Sequence, residues 1–142
     1  MPSVTRPAAA EARTFTRVHR TVAAVTVGYL IFALSAVALF RLSGRDPHAS
    51  QPLGLVIVSV IYGMVFAALG GVIAARLAPS RSLLHAGSVA VLLALGAGVS
   101  LVASPAADAT WSQWAALALM APSAWVGGYI ATRRPRVAQS AG

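Results

Sequence analysis

Four stretches of this chain contain no aspartate, glutamate, lysine or arginine: Thr21 to Phe40, Leu53 to Ala75, Leu83 to Ala103 and Trp111 to Thr132, of 20, 23, 21 and 22 residues. As helices rising about 1.5 Å per residue, each is long enough to cross the roughly 30 Å hydrocarbon layer of a bilayer. A charge at the centre of such a helix costs about 2.5–3.5 kcal/mol on insertion scales, and this sequence incurs that cost nowhere. The expected fold class is therefore an all-α membrane protein with four transmembrane helices in two antiparallel hairpins.

Composition argues the same way. Of 142 residues, 58% are hydrophobic and 10% charged, against about 25% charged in an ordinary soluble domain. A soluble four-helix bundle would show an apolar stripe at i, i+3, i+4, i+7 and a charged opposite face. None of the four stretches has such a face; serine, threonine and glycine are scattered around all sides. There is no cysteine, which excludes disulfides and thiolate metal sites.

The connecting segments are short and carry helix-stopping residues: Gly44, Asp46, Pro47 and Pro52 in the first, Pro79 in the second, Pro105 and Asp108 in the third. Proline lacks the backbone N–H and ends helices at such places. The chain divides into a basic cytoplasmic tail without ordered structure (1–20), a four-helix transmembrane domain (21–132, with spans 21–40, 53–75, 83–103 and 111–132) and a second basic cytoplasmic tail (133–142).

All eleven basic residues are arginine, opposed by Glu11, Asp46 and Asp108, for a formal net charge of +8. Nine of them fall on one side of the expected membrane, namely Arg6, Arg13, Arg17, Arg20, Arg76, Arg81, Arg133, Arg134 and Arg136, and only Arg41 and Arg45 on the other. The positive-inside rule then places both termini and the second link in the cytoplasm. The same arginines would meet anionic lipid headgroups at that face. Nucleic acid is not expected as a partner, because no groove-reading or stacking element accompanies the charge. Two processing alternatives stand beside this scheme: cleavage after Ala36-Val37-Ala38, leaving three spans, and an Arg-rich transit peptide.

Small residues recur at steps of four in span two (Gly63, Ala67, Gly71, Ala75) and span three (Ala86, Ala90, Ala94, Gly98). Such ridges let helix backbones approach closely, the main source of association where lipid offers no hydrophobic gain. They suit either a homo-oligomer interface or packing of spans two and three within one chain. The ends of spans two and four also match, Gly70 to Arg76 against Gly127 to Arg133, identical at five of seven positions at an offset of 57. Either the chain is a duplicated hairpin related by an axis along the membrane normal, or Gly-Gly followed by small residues and a snorkelling Arg is simply a good way to pack and stop a membrane helix.

Pro122, in the middle of the fourth span, removes one backbone hydrogen bond and should kink the helix. His85 opens span three without a companion at helical spacing, His19 and His48 lying in a tail and a link, so a structural role is expected. Trp111, Trp114, Tyr29, Trp125 and Tyr129 suit an aromatic belt at headgroup depth; Tyr62, near mid-span, has no such explanation. No paired carboxylates, Ser/His/Asp arrangement, phosphate loop or metal-ligand cluster is present, so no catalytic, cofactor-binding or metal residues are assigned and no cofactor is expected.

Four spans in a chain this short are reminiscent of the small multidrug resistance exporters, but those rely on a first-span glutamate that Thr21 to Phe40 does not offer. The stretch Gly70 to Arg76, the pair His85-Ala86 and a Trp-containing fourth span ending Gly127-Gly128 resemble uncharacterised four-span bacterial membrane proteins. That resemblance implies a bacterial inner-membrane location and carries no activity or site. The functional expectation is a non-enzymatic structural or accessory subunit, self-associating or bound to another membrane protein; the alternative is an oligomeric pore or facilitator for a neutral or hydrophobic small solute.

Overall fold

The computed structural model describes residues 6–46, 49–78, 82–103 and 110–133, with side chains from residue 14 onward except at Ser82. It comprises helices α1 (Arg6–Ser43), α2 (Leu53–Leu77), α3 (Ser82–Ala103), α4 (Trp111–Ala115) and α5 (Ala121–Arg133), the last two joined by a π-turn at Ala116–Met120 into one continuous fourth span. No strand occurs among the described residues. Pro47, His48, Pro79, Arg81, Pro105, Asp108, Arg134 and Arg136 lie outside them.

The packing is inverted relative to a soluble bundle. Buried positions are almost all small: Ala24, Ala67, Ala74, Ala86, Ala124, with Val89 the only large side chain fully enclosed among the described residues. The bulky residues, such as Leu34, Ile57, Ile61, Val91, Leu95 and Ile130, face outward. A water-soluble chain would bury these and expose charge, whereas helices in lipid gain by packing small residues backbone to backbone and leaving large apolar ones to the acyl chains. The fold is that of a four-helix membrane-spanning protein.

One expectation needs amending at the N-terminal end. Residues 1–20 were expected to form a tail without ordered structure, but α1 runs 38 residues from Arg6, about 57 Å at helical rise. Once the apolar span is helical, adding further residues costs no new nucleation, and alanine and arginine are good helix formers. Along this extension, Thr14 to Arg20 are all exposed.

The helix ends follow from local chemistry. Gly44 takes φ 63°; its N–H donates to the Arg41 carbonyl and the Arg45 N–H to that of Phe40, the paired bonds of a Schellman cap. A Cβ at Gly44 would touch nothing within 4 Å, so Gly44→Ala should cost only the left-handed backbone penalty, about 1 kcal/mol. Amide exchange should accelerate from Phe40 to Arg45, and Gly44→Asn should recover much of the protection. At the end of α2, Ala78 is extended (φ −63°, ψ 133°), as the ring of a following proline demands.

The order of helices around the bundle is α1, α2, α5, α3. Gly70 of α2 abuts the Gly28 backbone of α1, while Gly71 abuts Ala124 of α5. On α5, Gly127 meets Ala68 of α2, and Gly128 meets Ala86 of α3. The small-residue ridge of α2 is therefore spent inside the chain against the fourth span, which also takes the first member of the α3 ridge, Ala86. Gly98, the last member of the α3 ridge, has nothing within 4 Å of where its Cβ would stand.

The same contacts decide the duplication question. One residue along a helix turns the face by about 100°. On α2 the earlier glycine of the pair faces the hairpin partner and the later one faces across the seam; on α5 the order is reversed. Since α2 and α5 run in the same direction, α1 and α3 fall on the same side of the α2–α5 seam. A two-fold axis along the membrane normal would put them on opposite sides. Of the two readings, the helix arrangement favours the second: the matching heptapeptides are two uses of one packing device, without the two-fold relation of a parallel repeat.

Candidate functional site

At the end of the bundle where α1 finishes and α2 and α4 begin, the helices separate around a cavity of about 120 Å³. Its walls include Phe32 and Phe40 of α1, Ser59 and Tyr62 of α2, Trp111 of α4 and Met120 of the π-turn. Three local features open it. Gly63 leaves room that Met120 fills, since a Cβ there would strike the Met120 thioether methyl. Below that level, Gly28, Gly70, Gly71 and Gly127 draw the backbones together and close the bundle. The third feature is the π-turn itself: Ala121 donates to the Ala116 carbonyl, five residues back, just before Pro122. Proline has no N–H and its ring crowds the carbonyl four residues earlier, so the helix widens there. Where a kink was expected at Pro122, the helix shows this π-turn in the residues before it.

The hydroxyls lining the cavity differ in one respect. Tyr62 donates to the Ser35 carbonyl at 3.3 Å, Ser35 to that of Phe32 at 2.7 Å, and Ser112 to Gln113 Oε1 at 3.0 Å. Elsewhere Ser43, Ser88, Ser123 and Thr132 fold back onto their own helices in the same way as Ser35, the usual recourse of a helical hydroxyl. Ser59, only 4% exposed, makes no hydrogen bond among the described residues. A buried hydroxyl left in that condition costs about 1–3 kcal/mol.

Tyr62, the aromatic residue that no belt explained, is thus a wall of this cavity, its ring 4.5 Å from that of Phe66. Trp111 reaches the Ala49 carbonyl through Nε1 at 3.4 Å and lies 6.5 Å from Phe40 between ring centroids. Trp125 and Tyr129 stack at 5.9 Å at the opposite end, with the Arg133 guanidinium 4.2 Å over the Tyr129 ring. His85 is buried there, its Nε2 3.1 Å from Thr21 Oγ1, tying the start of α3 to α1; His19 sits on exposed helix beside Phe15. These histidines are far from the cavity, and no group of three or more potential metal ligands occurs among the described residues.

Sequence reasoning missed Ser59 and the buried Gln113, whose Nε2 donates to Ser100 Oγ at 3.3 Å. A signal for Ser59 was present: it stands four residues before Gly63 and continues the ridge Gly63, Ala67, Gly71. Gln113 had none, being one polar residue near a span end.

Beyond the cavity, toward the other end, α1 and α3 border an open apolar groove of about 710 Å³ edged by Val25, Thr26, Gly87, Val91 and Trp125. Fold and cavity together define a four-span helical membrane protein with a small amphipathic pocket in one half of the bundle. No protein-family model, no curated protein and no solved structure matches the chain.

Proposed function

We propose that this four-span protein is a non-enzymatic structural or accessory membrane subunit of a bacterial cytoplasmic membrane, with both termini cytoplasmic. The observation that carries this reading is the run of backbone contacts at Gly28–Gly70, Gly71–Ala124 and Gly127–Ala68. They close half of the bundle backbone to backbone along the α1–α2 and α2–α5 seams, packing that suits a chain whose role is to hold a fixed shape in the membrane. Because the α2 ridge is consumed within the chain, the partner is another membrane protein rather than a second copy gripping that ridge. Nine arginines on the side of the termini against two on the other support the orientation and give the anionic headgroups of that leaflet a basic rim.

The test is a comparison of membranes with and without the chain. At least one other multi-span protein should lose most of its abundance when the chain is deleted and recover on complementation with the wild type but not with Gly71→Leu. Reporters fused to the two ends should both signal from the cytoplasm. An unchanged membrane proteome removes the accessory role, and reporters on opposite sides remove the orientation. The facilitator alternative is favoured by one feature, the cavity, but the same backbone contacts bar its continuation through a single chain. Saturable flux of a neutral solute in proteoliposomes would reverse that preference.

A further inference from the structure

We propose that the cavity between α1, α2 and the π-turn is a binding site for a small neutral aromatic alcohol of the phenol class, with the Ser59 hydroxyl as the group that recognises the ligand's hydroxyl. This inference is independent of the accessory role.

Size sets the first limit. The cavity, about 120 Å³, is of the same order as the roughly 150 Å³ engineered cavity that admits benzene, and several times the roughly 30 Å³ that one water occupies in the liquid. The walls set the second. Phe32, Phe40, Tyr62 and Trp111 supply aromatic faces and edges, and Met120 a thioether, surfaces that favour an aromatic ring by offset or edge-on contact and by sulfur–ring contact. Among the described residues no charged side chain lines the cavity, so an ion would meet no compensating charge there.

The polar requirement is the third. Ser35, Tyr62 and Ser112 already donate their hydroxyl protons, whereas Ser59 retains both its proton and its acceptor lone pairs among the described residues. Its side chain has declined the carbonyl of its own helix, which five other helical hydroxyls in this chain take. A ligand hydroxyl, at once donor and acceptor, would satisfy it. Benzene would fill the same space and leave Ser59 unpaired, so the site should prefer the alcohol by about tenfold, the value of one net hydrogen bond.

The experiment uses the full chain in nanodiscs, with ¹⁹F NMR titration of 4-fluorophenol and of fluorobenzene, and empty nanodiscs to define partitioning into lipid. For the wild type, 4-fluorophenol should show a saturable component of one molecule per chain, about tenfold tighter than fluorobenzene. Ser59→Ala, which removes the hydroxyl but keeps a small helical residue, should weaken 4-fluorophenol about tenfold and leave fluorobenzene unchanged. Ala36→Leu, which pushes a larger side chain into the lined space, should abolish the saturable component for both, with far-UV dichroism and elution volume showing the fold intact. The proposal is overturned if both compounds only partition as into empty discs, or if the wild type and Ser59→Ala bind 4-fluorophenol equally.

Discussion

Gly71→Leu is expected to destroy the native bundle, with a loss of about 3 kcal/mol or more, the upper end of what overpacking costs. A Cβ at position 71 would run into the Ala124 carbonyl of α5, and a carbonyl held in a helix cannot swing aside as a flexible side chain can. The only relief is to part α2 from α5, and with them the contact between Gly127 and Ala68 on the same seam. Dispersion between closely approached backbones is what holds helices together in lipid, so a seam opened by one side chain has little to pull it shut. Because the chain has no cysteine, a pair introduced into α2 and the fourth span reports on this seam alone. Its disulfide yield should fall to background in Gly71→Leu, and unfolding in mixed micelles should shift to much lower denaturing detergent. Gly98→Leu is the control: with nothing within 4 Å, it should leave both readouts near wild type.

Gly28→Leu should have an effect of similar size but a different pattern. The Cβ would lie 2.6 Å from the Gly70 carbonyl oxygen, 3.0 Å from Ala74 Cβ and 3.1 Å from Val89 Cγ2, so α1 is excluded at once from α2 and α3. It makes no comparable approach to α5. The expected product is a chain whose α1 is detached while α2, α3 and the fourth span stay packed. Cross-linking between α1 and α2 should be lost, cross-linking between α2 and the fourth span retained, and the hydrogen bond between Thr21 and His85 broken. Loss of both cross-links together would mean that the bundle forms as one cooperative unit. Gly28→Ala should give a smaller version of the same pattern, since Ala74 and Val89 side chains can yield by a few tenths of an ångström but the Gly70 carbonyl cannot.

These two positions also show how far the site could be read in advance. Gly71 stood out in the sequence as part of a ridge, and the ridge is buried as that pattern implies. Which helix fills it was not legible: a second copy and span three were the two candidates, and although α2 and α3 do touch, Gly71 itself meets Ala124 of the fourth span. Gly28 belonged to no pattern, and its importance comes wholly from what lies opposite. The cavity was legible in one residue only, Tyr62. Its other essential member, Ser59, is unremarkable in composition, and its meaning depends on a hydroxyl rotamer and on a π-turn more than fifty residues away.

By itself the sequence determined that this is a protein of four membrane-crossing helices, where the last three begin and end to within a few residues, and which residues are small enough to let backbones touch. Those properties depend on the free energy of transferring one segment at a time from water to lipid and on local stop signals, both additive along the chain. Only the tertiary structure decided the order α1, α2, α5, α3, the absence of two-fold symmetry despite two matching heptapeptides, and the cavity around Ser59. Each of these turns on the rotational setting of one helix against another, where a single residue swings the contact face by about 100°. Small residues permit close approach in several directions, and only the complete set of neighbours selects one.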